Sequence, residues 1–176
     1  HFSAFTENIS KSYASLVGAG AGADVHVIAW SGKGVVRNYG DENSVSINPM
    51  PNYYNKTIAT EDGSFWNPDV DGLTFLPDLV IIALGTNDYS TLPNPSDTDF
   101  QEGYYALINR IHSDYPKASF LTVCEPLFSG NQCKNIQQVS YNYKKKNVNF
   151  PIRYLAVPET IFEGGYGCDG HPNQAS

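Results

Sequence analysis

Asp78-Leu79-Val80-Ile81-Ile82-Ala83-Leu84 runs directly into Gly85-Thr86-Asn87-Asp88. An apolar run of this kind, β-branched at its centre and without alternation, reads as a strand covered on both faces, as in a parallel sheet flanked by helices. The change to Gly-Thr-Asn-Asp marks a tight turn at the strand's carboxyl end. In open parallel sheets, chemistry collects along that edge.

Working outward, Phe100, Tyr104, Leu107, Ile108, Ile111 and Tyr115 fall on one helical face, with Thr98 placed to cap the helix and Pro116 after its end. Ala118–Cys124 predicts the next strand, residues 132–145 a helix, and Ile152–Val157 a further strand. Upstream, residues 8–18 predict a helix with a short stripe of Ser12, Tyr13, Leu16 and Val17, ended by the Gly-Ala stretch at 18–23. Asp24–Trp30 predicts a strand that enters a Ser31-Gly32 turn. Residues 35–76 hold many Asn, Pro, Tyr and Gly and little periodicity, an irregular excursion of the sort that compact domains keep for function. Strand and helix alternate, which predicts an α/β fold with a parallel sheet. Nothing divides the chain internally, so residues 1–176 read as one domain.

A net charge of −7 with 11 Lys and Arg argues against a partner that is nucleic acid. Lys144-Lys145-Lys146 is the one basic cluster and reads as a solvated helix end. No apolar run approaches the ~18 residues of a membrane span. Cys124 and Cys133 flank a Pro- and Gly-containing loop and are spaced to close a short disulfide, leaving Cys168. The sequons Asn8-Ile9-Ser10 and Asn55-Lys56-Thr57 suit a secreted protein.

Three motifs are predicted to share the carboxyl edge of the sheet: Trp30-Ser31-Gly32-Lys33-Gly34, Gly85-Thr86-Asn87-Asp88 and Gly167-Cys168-Asp169-Gly170-His171-Pro172. Acyl transfer needs a nucleophile, a base, and donors aimed at the developing oxyanion. Gly32 offers a main-chain N–H in a turn with no side chain in the way, or is a glycine kept only for positive φ. Asn87 offers a side-chain NH₂, or is an Asx-turn residue; Asp88 reads as a carboxylate that holds a loop. His171, in a Gly- and Pro-bounded loop, is the candidate base, whereas His1, His26 and His112 read as structural or surface groups. A base histidine needs an acceptor at Nδ1, for which Asp169 and a main-chain carbonyl are the candidates.

These residues resemble the SGNH (GDSL-type) hydrolases and, more narrowly, carbohydrate esterase family two, the acetyl-xylan esterase type. The matching phrases are Thr6-Glu7-Asn8, Ser12-Tyr13-Ala14, Ser31-Gly32-Lys33-Gly34, Met50-Pro51 with Tyr53-Tyr54, Pro77–Ile82 with Gly85-Thr86-Asn87-Asp88, Tyr115-Pro116-Lys117-Ala118, and Gly167–Pro172. The resemblance implies a flavodoxin-like three-layer sandwich and metal-free, cofactor-free serine catalysis. Its substrate would be an acetylated plant-wall polysaccharide such as xylan or glucomannan. Gly32 and Asn87 would be the oxyanion donors and His171 the base. A secreted monomer is expected, on its own or within a multimodular chain.

The departures carry as much information. The superfamily's Asp three residues before the His is Cys168 here, and the Trp that often precedes the His is Gly170. Tyr39, Tyr53, Tyr54 and Trp66 are the alternative surfaces for a sugar ring, or ordinary packing residues. No Gly-Asp-Ser occurs; Asp62-Gly63-Ser64 reverses it, and Ser31 belongs to the Gly32 turn. By resemblance, the first strand, which brings the nucleophilic serine, and the last helix are missing. The expectation is a fragment inactive by itself. Rival readings are a non-catalytic carbohydrate-binding module and an SGNH lipase acting on other acyl esters.

Overall fold

A computed structural model of the protein describes residues 8–66, 75–125, 127, 131–167, 170–173 and 175. The chain divides into two compact units, Ala29–Ala156 and the pair of segments His1–Ile28 with Val157–Ser176.

The larger unit is built on a parallel sheet of three strands in the order β1-β2-β3, where β1 is Leu79–Ile82, β2 is Ser119–Cys124 and β3 is Ile152–Ala156. Ile82 pairs with Thr122, and Thr122 with Tyr154. Parallel neighbours need long crossovers, and two helices supply them: α2 (Asp97–Asp114) and α3 (Asn131–Lys146). Both lie in the predicted stretches. The N-cap of α2 is Ser96, whose hydroxyl accepts from the Asp99 N–H, and not Thr98, which falls within the first turn. Asp97 and Asp99 then sit at the positive end of the helix dipole. The residue before Pro116 is disfavoured in helical conformation, and α2 ends there, with the Tyr115 N–H closing on Ile111 O at 2.9 Å. On α3 the buried positions are Gln132, Asn135, Ile136, Val139, Ser140 and Tyr143, the spacing of one helical face, and the three lysines end the helix exposed.

The helices pack on each other, and α3 packs on β2 and β3. Ile82, Phe120, Thr122, Cys124 and Ile152 are buried on the face they cover, with Phe100, Tyr104, Ile108 and Ile136 fully enclosed beside them. Each such apolar side chain contributes roughly 1.5–3 kcal/mol. The Tyr104 hydroxyl donates to Ile82 O at 3.2 Å, which fixes α2 to β1. A disulfide joins Cys124, the last residue of β2, to Cys133 in the first turn of α3, with Cα atoms 5.4 Å apart. The opposite face of the sheet carries Leu79 (50% exposed), Ile81 (36%) and Leu155 (46%). The unbroken apolarity of β1 predicts cover on both sides; on this second face Val123 of β2 is buried, whereas these three side chains meet solvent.

The smaller unit contains α1 (Tyr13–Ala21), preceded by a 3₁₀ turn at Ile9–Lys11 and capped by the Ser12 hydroxyl. The helix ends within the Gly-Ala stretch at 18–23, as expected, with Gly22 as its C-cap, whose φ of +63° suits glycine. Its predicted stripe stays exposed at Tyr13, Leu16 and Val17. Asp24–Trp30, predicted as a strand, forms no strand. A β-branched sequence permits extended backbone, but a strand also needs a ladder partner. No helix among the described residues is long and apolar enough to cross a membrane.

Candidate active site

The turn after β1 is anchored residue by residue. Thr86 donates its hydroxyl to Glu125 Oε2 at 3.0 Å and accepts from Gln132 Nε2 at 3.3 Å. Asn87 donates its side-chain amide to Lys33 O at 3.0 Å. Asp88, fully buried, accepts the N–H groups of Val35, Val36 and Arg37 at 2.9, 2.8 and 2.9 Å. Tyr89 accepts from Asn135 Nδ2 at 2.9 Å. Residues 87–89 form a single 3₁₀ turn, and Gly85 ahead of it has φ +122°, where only glycine is unstrained.

The second motif is thereby brought beside the first. Gly32 turns at φ +78°, its carbonyl accepts the Tyr39 N–H at 2.8 Å, and the next residue's carbonyl accepts from Asn87. Asp88 underpins this loop as the sequence reading expects. Burial raises its pKa to about 6, against the pull of the three N–H groups it accepts. Arg37 is also fully buried, its guanidinium donating to the carbonyls of Asp41, Asn43, Thr91 and Leu92 and to the Thr91 hydroxyl. That ties residues 41–43 to 91–92. Asp41 is held below the ordinary carboxylate range, chiefly by the Ser46 hydroxyl.

His171 belongs to the smaller unit. Its carbonyl accepts the Gly167 N–H at 2.6 Å, Tyr166 and Pro172 form an antiparallel bridge, and its side chain is exposed. Asp169 and Cys168 lie outside the described residues, as do Thr6 and Glu7. His112 is structural, with Nδ1 2.8 Å from the Tyr143 hydroxyl and its ring 3.9 Å from that of Phe150.

The candidate sugar surfaces separate. Tyr39 is 62% exposed, next to Gly32. Tyr53 is half-buried and packs edge-on against Trp30 at 4.7 Å, with Lys33 Nζ 4.8 Å from its ring. Tyr54 is 8% exposed and covered by Arg110 at 5.1 Å, so it packs the core and offers no face to a ring. Trp66 is half-buried, 5.9 Å from Tyr115.

Sequence reasoning quoted Trp30 in its motif without seeing its packing on Tyr53, and missed Glu125, Gln132 and Asn135. Glu125 was within reach, because it directly follows β2 as the Gly85–Asp88 turn follows β1. The two amides hide within a polar-looking helix. Among the described residues, no group of three or more His, Cys, Asp and Glu side chains is arranged to hold a metal ion.

No family model matches the chain. It is 29% identical over 178 residues to the cellulase/esterase CelE of Acetivibrio thermocellus, a match covering 99% of this chain and 21% of that protein. An acetylxylan esterase / glucomannan deacetylase of Cellvibrio japonicus is 26% identical over 183 residues, covering 96% and 46% respectively. A solved family two carbohydrate esterase from Clostridium thermocellum, in complex with cellohexaose, aligns with a TM-score of 0.86 and 29% identity over 99% of this chain and 52% of that one. The chain therefore spans about half, or less, of the length of these relatives. In both sequence and fold, then, the chain is similar to family two carbohydrate esterases.

Proposed function

We propose that this chain is part of a serine-type carbohydrate esterase that removes O-acetyl groups from polysaccharides of the xylan and glucomannan kind. The Asn87 amide, fixed against the Gly32–Lys33 turn at the carboxyl end of β1, carries the reading. Lys33 O occupies one hydrogen of that amide, and the nitrogen has a second. In the reaction the Gly32 N–H and this second N–H stabilise the oxyanion of the tetrahedral intermediate. His171 takes the proton of the attacking serine and returns it to the departing sugar hydroxyl; water then releases acetate. Asp169 or a main-chain carbonyl orients the imidazole. The serine comes from outside residues 1–176, because no Gly-Asp-Ser lies within them.

Tyr39 and the Trp30–Tyr53 pair are the surfaces for the sugar chain, a role supported by the cellohexaose bound to one relative. The Cys124–Cys133 disulfide and the two sequons support secretion. The test is acetate release from acetylated xylan and glucomannan by the full-length polypeptide that carries this chain. His171→Ala must abolish release, and residues 1–176 alone must release none. Turnover by residues 1–176 alone would rule out an external nucleophile. A full-length polypeptide that binds glycans but releases no acetate would establish the second reading, a non-catalytic binding module, which the missing Gly-Asp-Ser favours.

A further inference from the structure

We propose that Gln132 and Asn135, in the opening turns of α3, are positioning residues for Asn87, held in place by the Cys124–Cys133 disulfide. This rests on the reading of Asn87 as an oxyanion donor. Both side chains are 1% exposed and lie on the core face of α3 beside Ile136 and Val139. Amides buried in apolar surroundings add little stability over hydrocarbon of the same shape. Their polarity serves the turn that carries Asn87: Gln132 donates to Thr86 on one side of it, and Asn135 donates to the Tyr89 hydroxyl on the other. Asn135 is itself fixed, donating to Asp97 at 2.8 Å and accepting from Gln101 at 2.7 Å. The disulfide ties this end of α3 to the end of β2, next to Glu125, the other partner of Thr86. Asn87 is therefore braced through Thr86, just before it, and Tyr89, two positions after it, by one helix end that is covalently tied to the sheet.

The experiment uses the full-length polypeptide and an aryl acetate. Asn135→Leu keeps the side chain's size and removes its donor; Tyr89→Phe removes the partner hydroxyl. Each should lower kcat on the order of 10- to 100-fold with KM unchanged, the scale of a misplaced catalytic group. The melting temperature should fall by only about a few degrees in Asn135→Leu, because the partners it leaves, Tyr89, Asp97 and Gln101, are exposed or half-buried and can turn to water. The double variant should lose no more than the larger single loss, because the one bond that Tyr89→Phe removes is already gone in Asn135→Leu. Gln132→Leu should act likewise through Thr86, and Gln138→Ala, on the exposed face of α3, should leave kcat unchanged.

Amide hydrogen exchange across residues 86–89 gives a readout independent of turnover and should quicken in Asn135→Leu. Unchanged exchange, or kcat losses that only follow the unfolded fraction, would overturn the positioning role even where Asn87→Ala is inactive. Full activity in Asn87→Ala would instead overturn the oxyanion reading on which the proposal stands.

Discussion

The side-chain amide of Asn87 donates to the main-chain oxygen of Lys33 across 54 positions of sequence at 3.0 Å. One hydrogen bond thus joins the turn after β1 to the Gly32 turn, and both proposed oxyanion donors ride on it.

Asn87→Ala removes a proposed donor and this tie together. In the full-length polypeptide kcat on an aryl acetate should fall by about 10²–10³, as expected for the loss of one oxyanion donor, while KM changes little. Steady-state kinetics measures the split, with the folded fraction measured alongside by circular dichroism, because a loss of folded protein by itself also lowers apparent kcat and leaves KM unchanged.

Asp88→Asn places an NH₂ where three main-chain N–H groups converge. Stability should drop by about 2–3 kcal/mol, the scale of stranding a buried donor. The pH dependence has a definite sign. Asp88 titrates at about 6 when folded and near 3.8 when unfolded, so the folded state holds more protons between these values. Its contribution is full below about pH 4 and is lost as pH rises through about 6. Urea unfolding at pH 4.5 and pH 7 should show the variant's deficit larger at pH 4.5.

Gly34→Ala should be among the most damaging single changes. An added Cβ falls on the Arg37 carbonyl and the Asp88 carboxylate, and the former, being backbone, cannot swing aside. We expect a loss of about 3 kcal/mol, the upper part of the usual overpacking range, measured by thermal or urea unfolding.

Tyr39→Ala and Tyr54→Ala should part company. Tyr39 is exposed beside Gly32, so its loss should leave stability intact and raise KM for an acetylated polysaccharide on the order of 10-fold, with no effect on a small aryl acetate. Tyr54 is buried, and its truncation should cost about 3 kcal/mol of stability instead.

Cys124→Ser with Cys133→Ser opens a loop of sequence separation 9 and should lower stability by about 2–3 kcal/mol, the chain-entropy estimate for a loop of that size. Unfolding under reducing conditions should give the same deficit in the unaltered protein.

The sheet and its crossovers were legible because their signals are local. An apolar run such as 78–84, or a stripe such as Phe100 to Ile111, lies within one element and follows its period. The turn that carries Asn87 was legible because a polar stretch so abruptly ends an apolar strand. Asp24–Trp30 misled because β-branched content speaks of extended backbone and says nothing of a partner. Tyr39 and Tyr54 look alike in sequence, yet one is exposed and the other buried in the core under Arg110 of α2, a difference set by tertiary packing. The braces around the 86–89 turn were invisible for a similar reason. Thr86 meets Glu125 over a separation of 39, Tyr89 meets Asn135 over 46, and Asp88 meets Val35 over 53.

For protein engineers, residues 86–89 are a component that does not travel alone. A designer grafting Gly-Thr-Asn-Asp-Tyr onto another scaffold would copy its conformation and none of its mounting. The transferable unit is larger: it includes the 33–37 loop, the residue after β2 and the first two turns of α3. Laboratory evolution of this region should therefore advance by coupled substitutions across those segments and stall when any one of them is varied by itself.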